Sequence, residues 1–256
     1  MSALNDNANS LPLQFSARTD IGKVRTRNED SLAVRPERGW AVLSDGMGGY
    51  RGGDVASRIA VDAALRRLEY ESGGGRAGSV EAVSRILASA AIDANAEIQQ
   101  AAMAAPNLAG MGATLVMAVF MRRQVVSVHV GDSRLYRLRE GVIEQLTRDH
   151  TVLQEQIDGG MISVDEARRS RYRGMLSRGL GVASTVDPEV GVHSAEIGDV
   201  FLMCSDGLTD MLDEREIADV LGAGGVLDGL SSALVDQANI RGGRDNVSVI
   251  VARKIV

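Results

Sequence analysis

The 256-residue sequence lacks a second cysteine, a long apolar run and an excess of basic residues. Because Cys204 is the single cysteine, the chain can form neither an intramolecular disulfide nor a zinc site built on cysteines. The net charge of −6 argues against a protein that coats nucleic acid, since that function requires surplus lysine and arginine. The longest apolar run, residues 113–121, is about half of what a membrane-spanning helix needs.

The beginning of the chain carries no sign of a targeting segment. Residues 1–12 are polar and asparagine-rich, without the basic and apolar parts of a signal peptide. We interpret them as a flexible N-terminal arm and expect a soluble, cytoplasmic protein. Residues 13–256 are predicted to form one domain, which includes a polar, arginine-rich segment over 147–185. The glycine triplet 73–75 is interpreted as a loop between two helices.

Apolar periodicity predicts helices and strands in separate groups. A helix is predicted over about 54–69, and the next one carries an apolar stripe at spacings of three and four, formed by Val83, Leu87, Ala90, Ala94 and Ile98. Runs at 114–121, 125–130 and 134–138 predict an antiparallel meander. Further strands are predicted at 13–17, 31–34, 40–44, 189–193, 200–204 and 247–252, and helices at 214–221 and 227–239. Since strands and helices do not strictly alternate, an α+β layered sandwich is favoured over a doubly wound parallel sheet.

Four aspartates occur at the ends of apolar strand-like runs or beside them: Asp45, Asp132, Asp206 and Asp245. Carboxylates at the ends of neighbouring strands converge easily, and several like charges in one place require a cation. Oxygen ligands without histidine or cysteine favour Mg²⁺ or Mn²⁺. A single Asp-Gly pair is usually only a turn signal. Because the run followed by Asp-Gly occurs twice, Asp45 and Asp206 are the strongest candidates.

Seven segments together carry a resemblance to a known family. In chain order they are Val24-Arg25 through Asn28-Glu29-Asp30-Ser31, Asp45-Gly46-Met47-Gly48-Gly49, Gly112-Ala113-Thr114-Leu115, Gly131-Asp132-Ser133-Arg134, Leu146-Thr147-Arg148-Asp149-His150, Ser205-Asp206-Gly207-Leu208-Thr209-Asp210 and Arg244-Asp245-Asn246-Val247-Ser248. The chain resembles the metal-dependent protein phosphatases (type 2C serine/threonine phosphatases), especially the small bacterial single-domain members, from about residue 14 onward. The resemblance implies a four-layer α-β-β-α sandwich, in which two mostly antiparallel sheets are flanked by helix pairs.

The resemblance also implies a metal centre in a cleft at one edge of the sandwich, with two Mg²⁺ or Mn²⁺ ions and a third, weakly bound one. Asp45 would bridge the two ions, the carbonyl of Gly46 would bind one, and Asp206 and Asp245 would complete the shell of the other. Asp30 would bind near the centre, largely through water.

Two further site residues come from the same resemblance. Asp132 matches the position that forms the weaker third site together with Asp206. Arg25 would clamp the phosphate, because its guanidinium fork matches two phosphoryl oxygens. Together, Arg25, Asp45, Asp206 and Asp245 are the implied catalytic set.

The implied activity is hydrolysis of phosphoserine and phosphothreonine in proteins. A water activated by the two ions would attack phosphorus in line, with no covalent enzyme intermediate. The implied partners are phosphorylated proteins and a bacterial serine/threonine kinase whose action is reversed, and we expect a monomer that binds neither nucleic acid nor membrane. Two alternatives remain open: a catalytically silent module that binds phosphoproteins, and a phosphatase of small metabolites.

One departure from the family concerns proton donation. Animal relatives carry a histidine, proposed as general acid, where this chain has Met47, and a thioether cannot donate a proton. Either another group, most simply a metal-bound water, protonates the leaving oxygen, or this step is less assisted.

Other candidate features receive simpler interpretations. The glycine-rich stretch 46–53 fits neither the dinucleotide-binding nor the P-loop pattern. A cysteine phosphatase would need arginine six positions after Cys204, where Asp210 stands, so Cys204 is predicted to be a core residue. His129 is interpreted as structural, and His150 lies near the beginning of the presumed flap, 147–185. No histidine has a second one at metal-ligand spacing. The flap arginines, including Arg168 and Arg169, suggest a basic lip that steers substrates.

Overall fold

The computed structural model describes residues 13–48, 52–72 and 78–255. The predicted N-terminal arm, 1–12, and the glycine triplet 73–75 lie outside the described residues. The strands are β1 Leu13–Asp20, β2 Asp30–Arg35, β3 Trp40–Met47, β4 Gly112–Ala113, β5 Leu115–Phe120, β6 Gln124–Val130, β7 Arg134–Arg139, β8 Val142–Gln145, β9 Glu189–Ser194, β10 Val200–Cys204 and β11 Val247–Lys254. The α-helices are α1 Gly53–Ser72, α2 Val80–Ala104, α3 Val152–Asp158, α4 Val164–Arg168, α5 Asp206–Thr209, α6 Glu214–Gly222 and α7 Leu227–Ile240, and a 3₁₀ turn spans Pro106–Leu108.

Two antiparallel sheets form the centre of the molecule. Sheet I has the strand order β1-β11-β10-β7-β8, and sheet II has the order β2-β3-β5-β6-β9, with β4 paired to β3. Helices α1 and α2 pack on the outer face of sheet II, and α6 and α7 on the outer face of sheet I. The predicted α+β, four-layer sandwich is therefore confirmed. Among the described residues, no helix combines the length and apolar character needed to cross a bilayer.

Three apolar layers hold the sandwich together, because each sheet is covered on both faces. In β3, Trp40 and Val42 face the helices while Ala41 and Leu43 face the other sheet, so the strand is apolar throughout. The predicted stripe of α2 is buried at all five positions, and Ser79 caps the start of the helix.

The three phenylalanines of the chain lie between the two sheets. Phe15 and Phe201, from sheet I, each meet the ring of Phe120, from sheet II, edge to face, at centroid distances of 5.4 and 5.3 Å. The backbone N–H of Phe120 donates to the carbonyl of Gly39, just before β3 begins. The aromatic contacts therefore lie at the start of β3, at the end of the sandwich opposite Asp45.

The predicted three-strand meander is wrong at its last strand. β5 and β6 pair within sheet II, but β7 pairs with β10 in sheet I, so residues 131–133 carry the chain from one sheet to the other. Apolar periodicity does not distinguish a hairpin from such a crossing, because the strands are buried on both faces in either case. This crossing places Asp132 at the edge between the two sheets.

The flap, residues 147–185, contains α3 and α4 on either side of Gly159-Gly160, as predicted. An isolated bridge between Thr151 and Leu176 joins the two ends of the flap to each other. A second bridge, between Ala113 and Leu180, joins the flap to β4.

Candidate active site

Six of the seven predicted site residues line one open cleft at the edge of the sandwich. The cleft has a volume of about 760 Å³, and the six are Arg25, Asp45, Gly46, Asp132, Asp206 and Asp245. The seventh, Asp30, is buried beside the cleft and stands directly opposite Asp45 in the β2–β3 register. Like charges directly opposite each other destabilise a sheet, so this pair points to a functional requirement.

The end of β3, which carries Asp45, is held by hydrogen bonds from its backbone N–H groups. The N–H of Asp45 donates to the hydroxyl of Thr114 at 2.9 Å, and the N–H of Gly46 donates to the carbonyl of Glu29 at 3.1 Å. A Cβ atom on Gly46 would lie 2.0 Å from the carbonyl oxygen of Gly53. Only glycine at position 46 therefore allows α1 to begin so close to the end of β3.

The other two carboxylates come from sheet I. Asp206 follows β10 and begins α5, and Asp245 precedes β11. The Asp245 carboxylate accepts a hydrogen bond from the N–H of Asn246 at 2.8 Å and from Nη2 of Arg25 at 2.6 Å. The Arg25 side chain remains 52% exposed, so its guanidinium lies at the rim of the cleft where an anion can reach it.

Burial in a common site shifts the pKa of each buried carboxyl group upward. Burial and the neighbouring aspartates raise the pKa of Asp45 and of Asp206 well above the usual range. Burial raises the pKa of Asp30 to about 6, although hydrogen bonds from serines oppose the shift. Burial, followed by the charge of Asp149, raises the pKa of Asp132 to about 7.

The same group of aspartates contains unpaired buried oxygens. Oδ1 of Asp30 and Oδ1 of Asp206 are buried and have no hydrogen-bond partner. Buried oxygens of this kind are costly unless a donor or a cation compensates them. An all-oxygen donor set at the meeting point of several carboxylates suits Mg²⁺ or Mn²⁺. The residues therefore fit divalent ions.

Glu29 lines the cleft but was not among the residues predicted from the sequence. Burial, and then the charge of Asp54, raises its pKa above the usual range. Its position beside Asp30 in the same motif could have identified Glu29 as a residue of the site.

Polar residues of the same motifs fix the carboxylates, although the sequence does not indicate which groups they contact. Asn246 accepts from the N–H of Glu29 at 2.8 Å and donates to the carbonyls of Ile21 and Arg27, both at 2.9 Å, so it holds the loop that carries Arg25.

Two hydroxyl groups play a similar role. Ser205 donates to Oδ2 of Asp30 at 2.9 Å. The Thr114 hydroxyl, which binds the N–H of Asp45, also lies 2.7 Å from the hydroxyl of Ser133, so one side chain connects the Asp45 loop to the turn that contains Asp132.

The flap reaches across the cleft through an ion pair. Nη2 of Arg173 donates to Oδ1 of Asp210 at 2.8 Å, and both residues line the cleft. Met47 packs at the base of the flap, since a Cβ atom on Gly179 would lie 2.5 Å from the Met47 methyl group. The residue at the position of the animal histidine therefore has a packing role here.

Two histidines lie side by side, which their spacing in the sequence does not indicate. Although 21 residues separate His129 from His150, their rings stack with centroids 4.5 Å apart and planes at 20°. Together with Glu189, they place three donor atoms within 4.8 Å of one another. The pairing arises because residues 131–133 turn toward the segment that enters the flap. Cys204 is buried in the core, as predicted, and burial raises the pKa of its thiol to about 12.

Comparison with known proteins identifies a single family. The sequence profile described as Protein phosphatase 2C matches residues 22–226. The chain is 36% identical over 242 residues to a serine/threonine phosphatase stp of Listeria innocua, which covers 93% of this chain and 94% of that protein. It is also 36% identical over 243 residues to the serine/threonine protein phosphatase PstP of Mycobacterium tuberculosis, covering 95% of this chain but only 45% of that longer protein.

A solved structure extends the similarity to the metal-bound state of a relative. The catalytic domain of serine/threonine protein phosphatase PstP in complex with two manganese ions superposes with a TM-score of 0.83 at 33% identity. The match covers 95% of this chain and 99% of that one.

Proposed function

The chain belongs to the protein phosphatase 2C family, and on that premise we propose that it is a metal-dependent hydrolase of phosphoserine and phosphothreonine in proteins. The observation that carries the proposal is the convergence of five aspartates on one cleft with an arginine at its rim. Two buried carboxylate oxygens in this group lack any partner, as expected of ligands for a cation.

In this proposal Asp45, the Gly46 carbonyl, Asp206 and Asp245 hold two Mg²⁺ or Mn²⁺ ions. Asp30 lies beside them, and Asp132 with Asp206 holds a third, weaker ion. When bound, such ions lower the pKa of water and withdraw charge from phosphoryl oxygens. The carboxylates contribute by keeping their oxygens fixed in a partly dry site before the substrate arrives.

Arg25 binds and orients the phosphoryl group. Its bond to Asp245 uses Nη2, which leaves other N–H donors of the guanidinium for the substrate. Asp245 therefore has two functions, as a metal ligand and as the group that fixes the arginine. The positive charge at the rim stabilises negative charge that develops on the phosphoryl oxygens during attack.

The cleft also supports attack by water rather than by a protein nucleophile. Among its described lining residues there is no cysteine and no histidine, and the hydroxyl of Thr114 is engaged by Asp45 and Ser133. The other lining hydroxyl, that of Thr26, belongs to an exposed residue and has no histidine beside it in the cleft to activate it. We therefore keep the expectation that no covalent enzyme intermediate forms.

The proposed partners are phosphorylated proteins and the kinase that modifies them, and we propose a monomeric, cytoplasmic enzyme. The exposed arginines Arg169 and Arg171 support the basic lip expected on the flap. Reversing the charge of such residues is expected to raise KM for phosphopeptides while small-ester hydrolysis stays unchanged. Equal effects on both substrates would contradict that role.

The decisive experiment compares wild type with Asp206→Asn on p-nitrophenyl phosphate and on a phosphothreonine peptide, with Mn²⁺ and with chelator. We expect the variant to lose about 10³-fold or more in kcat, since several kcal/mol of metal-derived stabilisation disappear. Chelator should abolish wild-type activity reversibly. The matched control is Asp187→Asn, which removes an exposed carboxylate just after the flap.

The outcomes separate the alternatives. Full activity in chelator would refute the metal mechanism. Binding of phosphopeptide without turnover in Mn²⁺ would identify a silent binding module. A preference for sugar phosphates or nucleotides over phosphoproteins would identify a metabolite phosphatase.

A further inference from the structure

His150 lies where three segments of the fold meet. Its backbone N–H donates to the carbonyl of Gly131 at 3.0 Å, and the N–H of Gly131 donates to its Nδ1 at 3.3 Å. Its carbonyl accepts from the N–H of Ser177 in the returning part of the flap at 2.9 Å. Its Nε2 lies 3.3 Å from the Glu189 carboxylate on β9. His150, near the beginning of the flap, thus contacts three segments: residues 131–133, which we call the crossing turn, the returning part of the flap, and sheet II.

The surroundings fix the imidazole in one neutral form. Because the N–H of Gly131 points at Nδ1, the lone pair is on Nδ1 and the proton on Nε2 is donated to Glu189. Protonation of Nδ1 would bring two N–H groups face to face. Burial, and then the neighbouring His129, lowers the pKa of His150. The residue therefore acts through its geometry and not through its charge.

The crossing turn has little freedom beyond what His150 allows. Gly131 has a φ of +101°, and a Cβ atom there would lie 2.7 Å from the Thr114 side chain. The turn is thus held between Thr114 on one side and His150 on the other. Asp132, the next residue, projects into the cleft, so a shift of His150 moves this carboxylate.

The flap depends on the same residue. The N–H of Ser177 donates to its backbone carbonyl, and Nη1 of Arg178 lies 3.4 Å from its Nε2. Since Nε2 carries the proton in this tautomer, the Arg178 contact is one of packing between two donors and not a hydrogen bond. Loss of the imidazole would remove the surface against which Arg178, in the returning part of the flap, packs.

The geometry argues against reading the His129, His150 and Glu189 cluster as a metal site. An imidazole binds a metal in the plane of its ring, and two rings stacked at 20° do not point to a common ion. Nε2 of His129 is already engaged with the carbonyl of Arg148 at 2.7 Å, and the Arg178 cation lies beside His150.

We infer that His150 is a positioning residue that couples the seating of the flap to the position of the Asp132 carboxylate. The importance of this role for catalysis rests on the proposed function, whereas the experiment that tests it does not. Its physical content is that one rigid side chain makes two separable contacts, Nδ1 toward the turn and Nε2 toward Glu189.

Two substitutions separate these contacts. His150→Asn retains an acceptor near the Nδ1 position, whereas His150→Gln retains a donor near the Nε2 position. Metal binding is measured by titration calorimetry with Mn²⁺. The binding event that wild type shows and Asp132→Asn lacks is called the Asp132 component. Flap seating is measured by amide hydrogen exchange over residues 174–178.

We expect His150→Gln to weaken the Asp132 component roughly three- to tenfold, the effect of one lost hydrogen bond. We expect His150→Asn to keep that affinity and to speed exchange in the flap. Glu189→Ala, an exposed position where folding is not at risk, should reproduce the exchange effect alone. His193→Asn is the control, since it removes another partly buried imidazole, which contacts Ser127 instead; neither measurement should change.

Other results would overturn the inference. Unchanged metal affinity and exchange in both His150 variants would do so, and so would shifts no larger than those of the His193 variant. Zn²⁺ or Mn²⁺ binding that persists in Asp132→Asn but disappears in His150→Asn would show that the cluster is a metal site instead. Neither measurement requires turnover, so an inactive protein that shows the expected shifts would refute the proposed function and leave this inference standing.

Discussion

Replacing Asp132 by asparagine should stabilise the metal-free protein even as it impairs the enzyme. The carboxyl group is 9% exposed and lies among other acids, and its charged form is therefore disfavoured in the folded state. Asparagine has nearly the same shape but cannot ionise. The substitution removes the electrostatic cost and also removes a ligand of the proposed third ion.

The magnitude follows from the pKa, which rises from 3.8 to about 7 on folding. Because the folded pKa lies above the unfolded one, the folded state binds more protons, and stability falls as pH rises from about 4 to about 7. A shift of this size corresponds to about 4 kcal/mol above pH 7. Since the pKa values of Asp45 and Asp206 are raised as well, protonation within the group is shared and offsets part of this cost. We therefore expect about 2–4 kcal/mol, which raises Tm by roughly 5–15 °C.

The assay is thermal unfolding in EDTA at pH 4 and at pH 8 for wild type, Asp132→Asn and the exposed control Asp187→Asn. At pH 8 the Asp132 variant should melt well above wild type, and at pH 4 the two should nearly coincide. Added Mn²⁺ should narrow the difference, because the ion stabilises the form that binds it more tightly. A variant that melts at or below wild type at pH 8 in EDTA would refute the reasoning.

Three further predictions concern single positions. Gly46→Ala should lower the free energy of unfolding, measured in urea, by several kcal/mol and should lose activity, because its Cβ would overlap the carbonyl of Gly53. A variant with wild-type stability would contradict that close approach. Thr114→Val should cost about 1–3 kcal/mol in urea unfolding and lower kcat, since it leaves the N–H of Asp45 without its acceptor; unchanged kcat would show that this bond does not position the carboxylate. Although burial opposes ionisation of Asp199, hydrogen bonds from an arginine and a backbone amide outweigh it and lower the pKa. Asp199→Asn should therefore destabilise the protein most above pH 4, and the difference from wild type should shrink as pH falls below that value; a pH-independent difference would contradict the sign.

Most strands and helices were predictable because the sequence carries long apolar patterns. The elements that were not predicted are short: β4 has two residues, and the four residues of β8 alternate between exposed and half-buried. The transfer of β7 to the other sheet was not predictable from periodicity, because burial on both faces gives the same pattern in either sheet.

The acidic residues of the site were predictable because each one occurs in a recognisable motif, and the structure brings them into one cleft or directly beside it. Their roles remain proposals. The contacts that fix the site were not predictable, although Ser205 and Asn246 belong to the same motifs. Ser205 reaches Asp30 across 175 positions and Asn246 reaches Glu29 across 217, and such contacts leave no local pattern.

The aromatic contacts between the sheets have a consequence for metal selectivity. Asp30 and Asp45 belong to sheet II, whereas Asp206 and Asp245 flank strands of sheet I, so the gap between the two carboxylate pairs is the gap between the sheets. The three phenylalanine rings occupy the opposite end of the sandwich, about 20 Å away along β3. Their packing helps to set the separation of the two sheets and, with it, the distance between the two carboxylate pairs. In the proposed metal site, we therefore expect the preferred ion size to depend in part on hydrocarbon rings that touch none of these carboxylates.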